Sequence, residues 1–272
     1  MASILEMMPR KDKERLEYFF QTLIGWDAFG YVLFGDKPMS FSSSEKQINP
    51  FNSFDSFCFA ISPRRIQTVN GFETWKKYES LFSMPRFVFL YDESPSNETF
   101  LFINKKKFIS TVDRHALLFQ HVLRREVTGE ELLQEATSKP LLSEVLADQD
   151  ELIGILFGFG EKNACLFQRM MQLKSAKEQA DFCKKFSFGY PWEKEDEELD
   201  KGYESVGWIS ANITGAHLKN LDLINLPGFC AILNDPETAA LKEHYLETRE
   251  KIIEYYKDKD FLEATLQALT AE

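Results

Sequence analysis

Apolar positions near the start of the chain fall at helical spacing. Leu16, Phe19, Phe20, Leu23 and Ile24 share one face, and Gly25 supplies a stop signal. The pattern then shortens. Tyr31 to Phe34 and Met39 to Phe41 are strand-like runs on either side of Gly35-Asp36-Lys37-Pro38, whose residues favour a turn, so a hairpin is expected. FCFAI (57–61) reads as a buried strand closed by Ser62-Pro63. Asn70 with Glu73 three residues on is a capping-box pattern and predicts a helix over 70–82. RFVFLYDE and ETFLFIN surround Ser94-Pro95-Ser96-Asn97 as a second hairpin with a longer turn.

From Asn104 the period lengthens again. Ile109, Val112, Ala116, Phe119 and Leu123 define one helical face, and Thr128 with Glu131 forms a capping box ahead of Leu132. A short helix is predicted over Ser138 to Leu146, with Pro140 near its start. Asp148 with Glu151 caps the segment 152–171, and Ser175 with Glu178 caps one more helix. After an acidic loop (191–204), VGWISANI (206–213) and GFCAIL (228–233) return to a strand pattern. Asp235-Pro236-Glu237 is a helix start: a cap, Pro at the first position and an acidic first turn. Leu241, Tyr245, Thr248, Ile252 and Tyr255 make its stripe, and a last helix begins near Phe261.

Strands early, helices in the middle and strands late place the chain in the α+β class. The expected architecture is a small mixed or antiparallel sheet built from N-terminal hairpins and late strands. Residues 1–272 are read as a single domain, with 104–190 as a helical insertion or subdomain. LKNLDLINL (218–226) resembles a leucine-rich-repeat phrase, but one off-register copy makes no solenoid.

The segment LIGILFGFGEKNACLFQRMM (152–171) admits two readings. As a dinucleotide fingerprint, Ile153 to Phe157 would be a strand, Gly158 and Gly160 the turn, and Ala164 the small residue against the sheet. The third glycine position is Asn163, however, and no strand ending in an acidic residue follows. As a helix, Ile153, Phe157, Gly160, Ala164, Phe167 and Met171 form one unbroken face. Gly154, Gly158 and Gly160 cost such a helix about 3 kcal/mol in propensity. Close packing on small residues, or a kink near Gly158, has to offset that, and the helical reading is the expected one.

Composition adds to this picture. Among 272 residues, 25 Phe, 9 Tyr and 4 Trp point to an aromatic-rich core, with an exposed adhesive patch as the alternative. A net charge of -11 and a pI near 5.0 argue against a nucleic-acid partner. Cys58, Cys165, Cys183 and Cys230 lie far apart in apolar contexts, so free thiols in a reducing compartment are expected rather than a disulfide or zinc framework. No apolar run is long enough to span a bilayer and the N-terminus has no apolar leader core, so a soluble cytoplasmic protein is expected, although a removed leader is compatible with the sequence.

Candidate chemistry is sparse. His115 and His121 are six apart on one predicted helix and cannot share a metal; His115 borders the apolar stripe and His121 faces solvent. His244 has Glu243 and Glu247 nearby but no HExxH, and no metal site is expected. No GxSxG elbow and no GxxxxGK[ST] loop is present, and residues 193–200 lack the alternating ligands of a calcium loop, so no cofactor is expected. His217 follows a glycine in ITGAH, in a predicted loop, and is the candidate general acid or base. In GWDAFGYVLFGDKP (25–38), Trp26, Asp27, Asp36 and Lys37 stand at the two ends of a predicted short strand beside three glycines. Aromatic and charged groups next to permissive backbone could read a small polar ligand; the plainer reading is a helix stop, a strand and a turn.

IGWDAFGYVLFGDKPMSF (24–41), with GFGEKNACLFQR (158–169), resembles uncharacterised proteins of obligate intracellular bacteria. No activity attaches to that family, so the resemblance implies nothing about mechanism.

Two functions of different class follow. One is a non-catalytic protein, binding a protein partner or a small polar ligand, with an aromatic patch or groove near Trp26 and the 31–41 hairpin. The other is a hydrolase- or transferase-type enzyme using His217 as general acid or base, with a carboxylate or nucleophile in reach of it.

Overall fold

A computed structural model describes residues 2–45, 63–93, 97–139, 142–192 and 224–272. Helix α1 (Ala2–Met7) leads into α2 (Arg10–Trp26), where Pro9 precedes the first turn and Asp12 supplies an acidic group within it. The apolar stripe Leu16, Phe19, Phe20, Leu23 and Ile24 is fully buried, as its spacing requires. The helix runs one residue past Gly25 and stops where the Asp27 N–H donates to Leu23 O at 3.1 Å.

The next segment departs from expectation. Phe29–Leu33 is a short helix, α3, not the first strand of a hairpin. Ala28, in the left-handed region at φ 57°, turns the chain at the end of α2, and the N–H groups of Phe34 and Gly35 then bond Gly30 O and Tyr31 O. All five residues are buried, and a short run that is apolar on every side carries no period to tell helix from strand. Gly30 lets α3 lie against a later helix: a Cβ there would sit 2.9 Å from Ile252 Cδ1.

Strand β1 (Met39–Glu45) therefore pairs not with residues 31–34 but with β3 (Asn97–Asn104), Met39 opposite Ile103. β2 (Phe87–Glu93) pairs β3 from the other side, Phe87 opposite Asn104, which is the second predicted hairpin. The sheet is antiparallel, in the order β1-β3-β2. Side chains alternate across it. Phe87, Phe89, Phe100 and Phe102 face one side, while Met39, Val88, Leu90, Leu101 and Ile103 face the other.

The first side is the aromatic core. It takes in α2, α3 and α4 (Pro63–Tyr78), and its rings interlock: Phe29 stacks on Phe102 at 4.0 Å, and Phe20 meets Trp75 edge-on at 5.1 Å. Helix α4 starts at Pro63 rather than Asn70, so Asn70 and Glu73 lie inside the helix and do not cap it. Thr74 Oγ1 instead donates to Asn70 O at 2.7 Å.

The second side packs on the helical middle, whose core is mainly aliphatic. α5 (Lys105–Arg114) and α6 (Ala116–Leu123) divide at His115, splitting the single face that the spacing suggested. α7 (Gly129–Ser138) carries the Thr128–Glu131 capping box, both reciprocal bonds present. α8 (Leu142–Val145) follows, then α9 (Asp150–Leu156). Ala147 and Asp148 are both left-handed at φ 53°, so Asp148 belongs to the turn, and Gln149 takes the cap position expected of it. α10 (Glu161–Met171) and α11 (Ala176–Phe186) complete the run, the latter with the Ser175–Glu178 box intact.

β4 (Phe188–Gly189) pairs with β5 (Ala231–Ile232), Phe188 opposite Ile232. Among the described residues the late strand thus forms its own ribbon rather than rejoining the early sheet. Asn163 on α10 anchors it: its Oδ1 accepts from the Ile232 N–H at 2.9 Å. The predicted strands at 57–61 and 206–213 lie outside the described residues. α12 (Pro236–Tyr256) begins at the Asp235 cap with Pro236 first, and Tyr245, Thr248, Ile252 and Tyr256 form its buried stripe. α13 (Phe261–Thr270), capped by Asp260, closes the aromatic core. The chain is thus α+β with a helical middle, and among the described residues no helix is long and apolar enough to cross a membrane.

Candidate functional site

The GFG segment is a helix-to-helix turn. α9 ends in a Schellman arrangement: Gly158 N–H bonds Ile155 O at 2.9 Å and Phe159 N–H bonds Gly154 O at 3.1 Å. Gly158 (φ 74°) is the left-handed closing residue, and Gly160 (φ 86°) starts α10 by accepting from the Ala164 N–H. Both are hemmed in by α12: an added Cβ would meet Tyr245 Oη at 3.0 Å from Gly158 and the Glu237 carboxyl carbon at 2.9 Å from Gly160. The expected continuous helix is therefore two helices, and the small residues serve the approach of α9 to α10, Gly154 against Ala164. A dinucleotide loop needs a strand where α9 stands.

The turn presents three consecutive carbonyls, each taken by a side chain, two of them from far away in the chain. Gly158 O accepts from Tyr245 Oη at 2.7 Å, and Phe159 O from Asn163 Nδ2 at 2.9 Å. Phe157 O accepts from Lys37 Nζ. Lys37 comes from the turn between α3 and β1 and is only 3% exposed. Its ammonium lies 4.5 Å from the Phe159 ring centroid and 5.4 Å from that of Phe157. No carboxylate pairs with it among the described residues. Burial alone pushes its pKa down from the ordinary lysine value to about 7. A cation at the carbonyl end of α9 also suits the helix dipole, so the contact caps that helix as well.

Lys37 borders two clefts. The first, about 220 Å³, is lined by Trp26, Asp27, Phe41, Ser42, Phe157 and Phe159 among others. Asp27 enters as the C-cap of α2, its Oδ2 accepting from Ser42 Oγ on β1 at 2.7 Å. The second, about 210 Å³, is lined by Asp36, His115, Glu161, Glu237, His244 and Tyr245 among others. There His115 Nδ1 lies 2.6 Å from Glu161 Oε2, and His244 Nε2 lies 3.6 Å from Asp36 Oδ2. Lys107 hydrogen-bonds Asp36 and holds its carboxyl below the usual carboxylate range. Glu237 Oε2 and His244 Nε2 are buried with no hydrogen-bond partner among the described residues.

The four predicted ligand residues are thus divided. Trp26 and Asp27 line the first cleft, Asp36 the second, and Lys37 both. The reason is α3: a strand would have run away from α2, whereas a helical turn folds Asp36-Lys37 back between the two. His217 lies outside the described residues. His115, which borders the apolar stripe in sequence, pairs across 46 positions with Glu161. His244 faces Asp36 rather than its sequence neighbours Glu243 and Glu247. Only chain-distant contacts reveal these pairs; the local signal was limited to Lys37 following a glycine-aspartate turn.

A third depression, about 260 Å³ and the largest of the three, is an apolar groove lined by Met39, Phe41, Leu90, Leu101, Ile153 and Phe157 among others. It shares Phe41 and Phe157 with the first cleft, and Phe41 is 52% exposed. Of residues 31–41 only Met39 and Phe41 line this groove, and Trp26 does not. Cys165 is no activated nucleophile, since burial pushes its thiol up to about 11. Among the described residues no group of three His, Cys, Asp or Glu could hold a metal ion.

The fold is therefore an α+β arrangement with a lysine-centred pair of clefts. No family model, curated protein or solved structure matches this chain. Function has to be read from the site itself.

Proposed function

We propose that the chain is a small-ligand-binding protein whose site is the first cleft, with a ligand of few carbons that carries a carbonyl or carboxylate oxygen. One observation carries the reading: a buried lysine that no carboxylate neutralises among the described residues forms part of the cleft wall. A lysine ammonium has three donors, and Phe157 O takes one. An acceptor in the cleft satisfies another, while Trp26, Phe41 and Phe159 offer faces to an apolar portion. Net charge of -11 disfavours nucleic acid as a partner.

A thermal-shift panel of small carboxylates, aldehydes and ketones tests this on wild type and on Lys37→Met. A ligand at 100 times its Kd adds about 2.7 kcal/mol to stability. The expected result is stabilisation of wild type by at least one member and its loss in the variant. Equal stabilisation of both proteins, or of neither, would sink the reading.

The second reading, a hydrolase- or transferase-type enzyme, was motivated by His217. Its support now comes from the second cleft, where two histidines each approach a carboxylate. A general-base role for either predicts turnover that disappears in His115→Gln or His244→Gln. Hydrolysis of model esters unchanged in both variants would remove it.

A further inference from the structure

The first cleft has the parts of an imine-forming site, an inference that rests on the ligand-binding reading above. We propose that Lys37 is a nucleophile that condenses with a small aldehyde or ketone held between Trp26, Asp27 and Phe159. Its Nζ lies at the aromatic end of the cleft, facing the Phe157 and Phe159 rings that form the wall. An ion-paired lysine would keep its proton and its lone pair would be unavailable; Lys37 has no such partner among the described residues. The burial that lowers its proton affinity to about 7 leaves a large neutral fraction at physiological pH.

The chemistry balances without any further reagent. The amine lone pair attacks the carbonyl carbon, a C–N bond forms, and the C=O π pair moves to oxygen. A proton passes from nitrogen to that oxygen, giving a carbinolamine; Asp27, at the same cleft and hydrogen-bonded to Ser42, is the group placed to relay it. A second proton, taken up from solvent water through Asp27, makes the hydroxyl leave as water while the nitrogen pair forms C=N. The product is a protonated imine plus water. It retains one N–H, enough to keep the bond to Phe157 O, and its charge stays over the Phe159 ring.

Among the described residues, charged and titratable groups line the clefts around Lys37 from several elements. Asp27 comes from the end of α2, and Asp36 precedes Lys37 in the chain. Arg114 and His115 come from α5 and the break after it, Glu161 from α10, and Glu237, His244 and Tyr245 from α12. Asp36 is engaged by Lys107 and His244, and Glu161 by His115.

The test uses the full chain with two probes, pyruvate and propanal, each with cyanoborohydride, followed by peptide mapping. A free lysine side chain, with a pKa near 10.4, is neutral to less than about 0.1% at pH 7. The expected result is one reduced adduct at Lys37 with at least one probe, forming about tenfold or more slower at pH 5.5 than at pH 7, as a group titrating near 7 requires. Lys37→Arg, which keeps the charge and the helix cap, is expected to lose the adduct. Stabilisation by a probe that depends on Lys37, with no reduced adduct, would overturn the imine and leave the binding reading standing. Adducts spread over surface lysines with no probe stabilising the protein would overturn both.

Discussion

The two clefts beside Lys37 are nearly equal in size and opposite in character. The first is walled by aromatic rings and β1 serines around Lys37, which no carboxylate neutralises among the described residues; the second gathers two histidines, three carboxylates and a tyrosine, with Asp36 and Glu161 paired and Glu237 Oε2 left without a hydrogen-bond partner among the described residues. The Phe157-Gly158-Phe159 turn separates them, turning its phenyl rings to one side and Gly158 to the other. The difference teaches where free chemical potential sits. In the second cleft Asp36 and Glu161 each have a cationic or histidine partner, whereas in the first the cost of burying Lys37 is offset, among the described residues, by one carbonyl at a helix C-terminus and two ring faces.

The sharpest way to break this contrast is to remove Lys37. A lysine whose folded pKa is about 7 binds fewer protons than its unfolded counterpart between pH 7 and about 10, so stability rises with pH across that window. Denaturant melts of wild type against Lys37→Met should show a gain of a few kcal/mol over that range in wild type alone. Above it the trend reverses, because burial raises the pKa of Tyr31, Tyr245 and Tyr256 and the unfolded chain loses those protons first.

Phe159→Ala comes next. It removes the ring nearest the ammonium and the 5.0 Å stack on Phe229, and should cost about 2 kcal/mol. The same change admits water to Lys37, so the pH dependence should flatten toward that of Lys37→Met. Gly158→Ala forces an alanine to φ 74° and against Tyr245 Oη; about 1 to 2 kcal/mol is expected in melts, with both clefts disturbed together. The smallest effect is expected from Glu161→Gln, which weakens a half-exposed pair with His115 worth at most about 1 kcal/mol. It should leave ligand binding in the first cleft unchanged, and a loss of binding there would show that the clefts are not independent.

Much of the fold was legible because its signals are local. The Thr128–Glu131 and Ser175–Glu178 boxes and the Asp235-Pro236 start declare themselves within four residues, and each begins a helix as expected. Asn70 with Glu73 has the same letters inside a helix, where the backbone bonds they would supply are already made. The hairpin over 86–104 was legible from two strand-like runs around a turn sequence, and each strand faces a core on both sides, with rings on one and aliphatic groups on the other. α3 was illegible because five buried residues leave no polar side to mark a period. The break in 152–171 hid behind a helical repeat that persists when a Schellman turn joins two helices burying similar faces.

Part of the candidate site's wall was legible. Trp26, Asp27 and Lys37 do meet at one cleft, since the α2 terminus and the turn before β1 are close in sequence. Phe157 and Phe159 in its wall arrive from about 120 residues away and Leu226, Pro227 and Gly228 from farther still, and no local pattern announces those contacts.

The most direct measurement is the titration of Lys37 itself, by NMR of lysine labelled at the ε position, with Lys37→Met assigning the resonance. A midpoint near 7 is expected, well separated from the surface lysines. A midpoint at the ordinary value near 10.4 would mean an ammonium that water or a carboxylate already satisfies. The cleft would then hold no unneutralised cation to recruit a ligand.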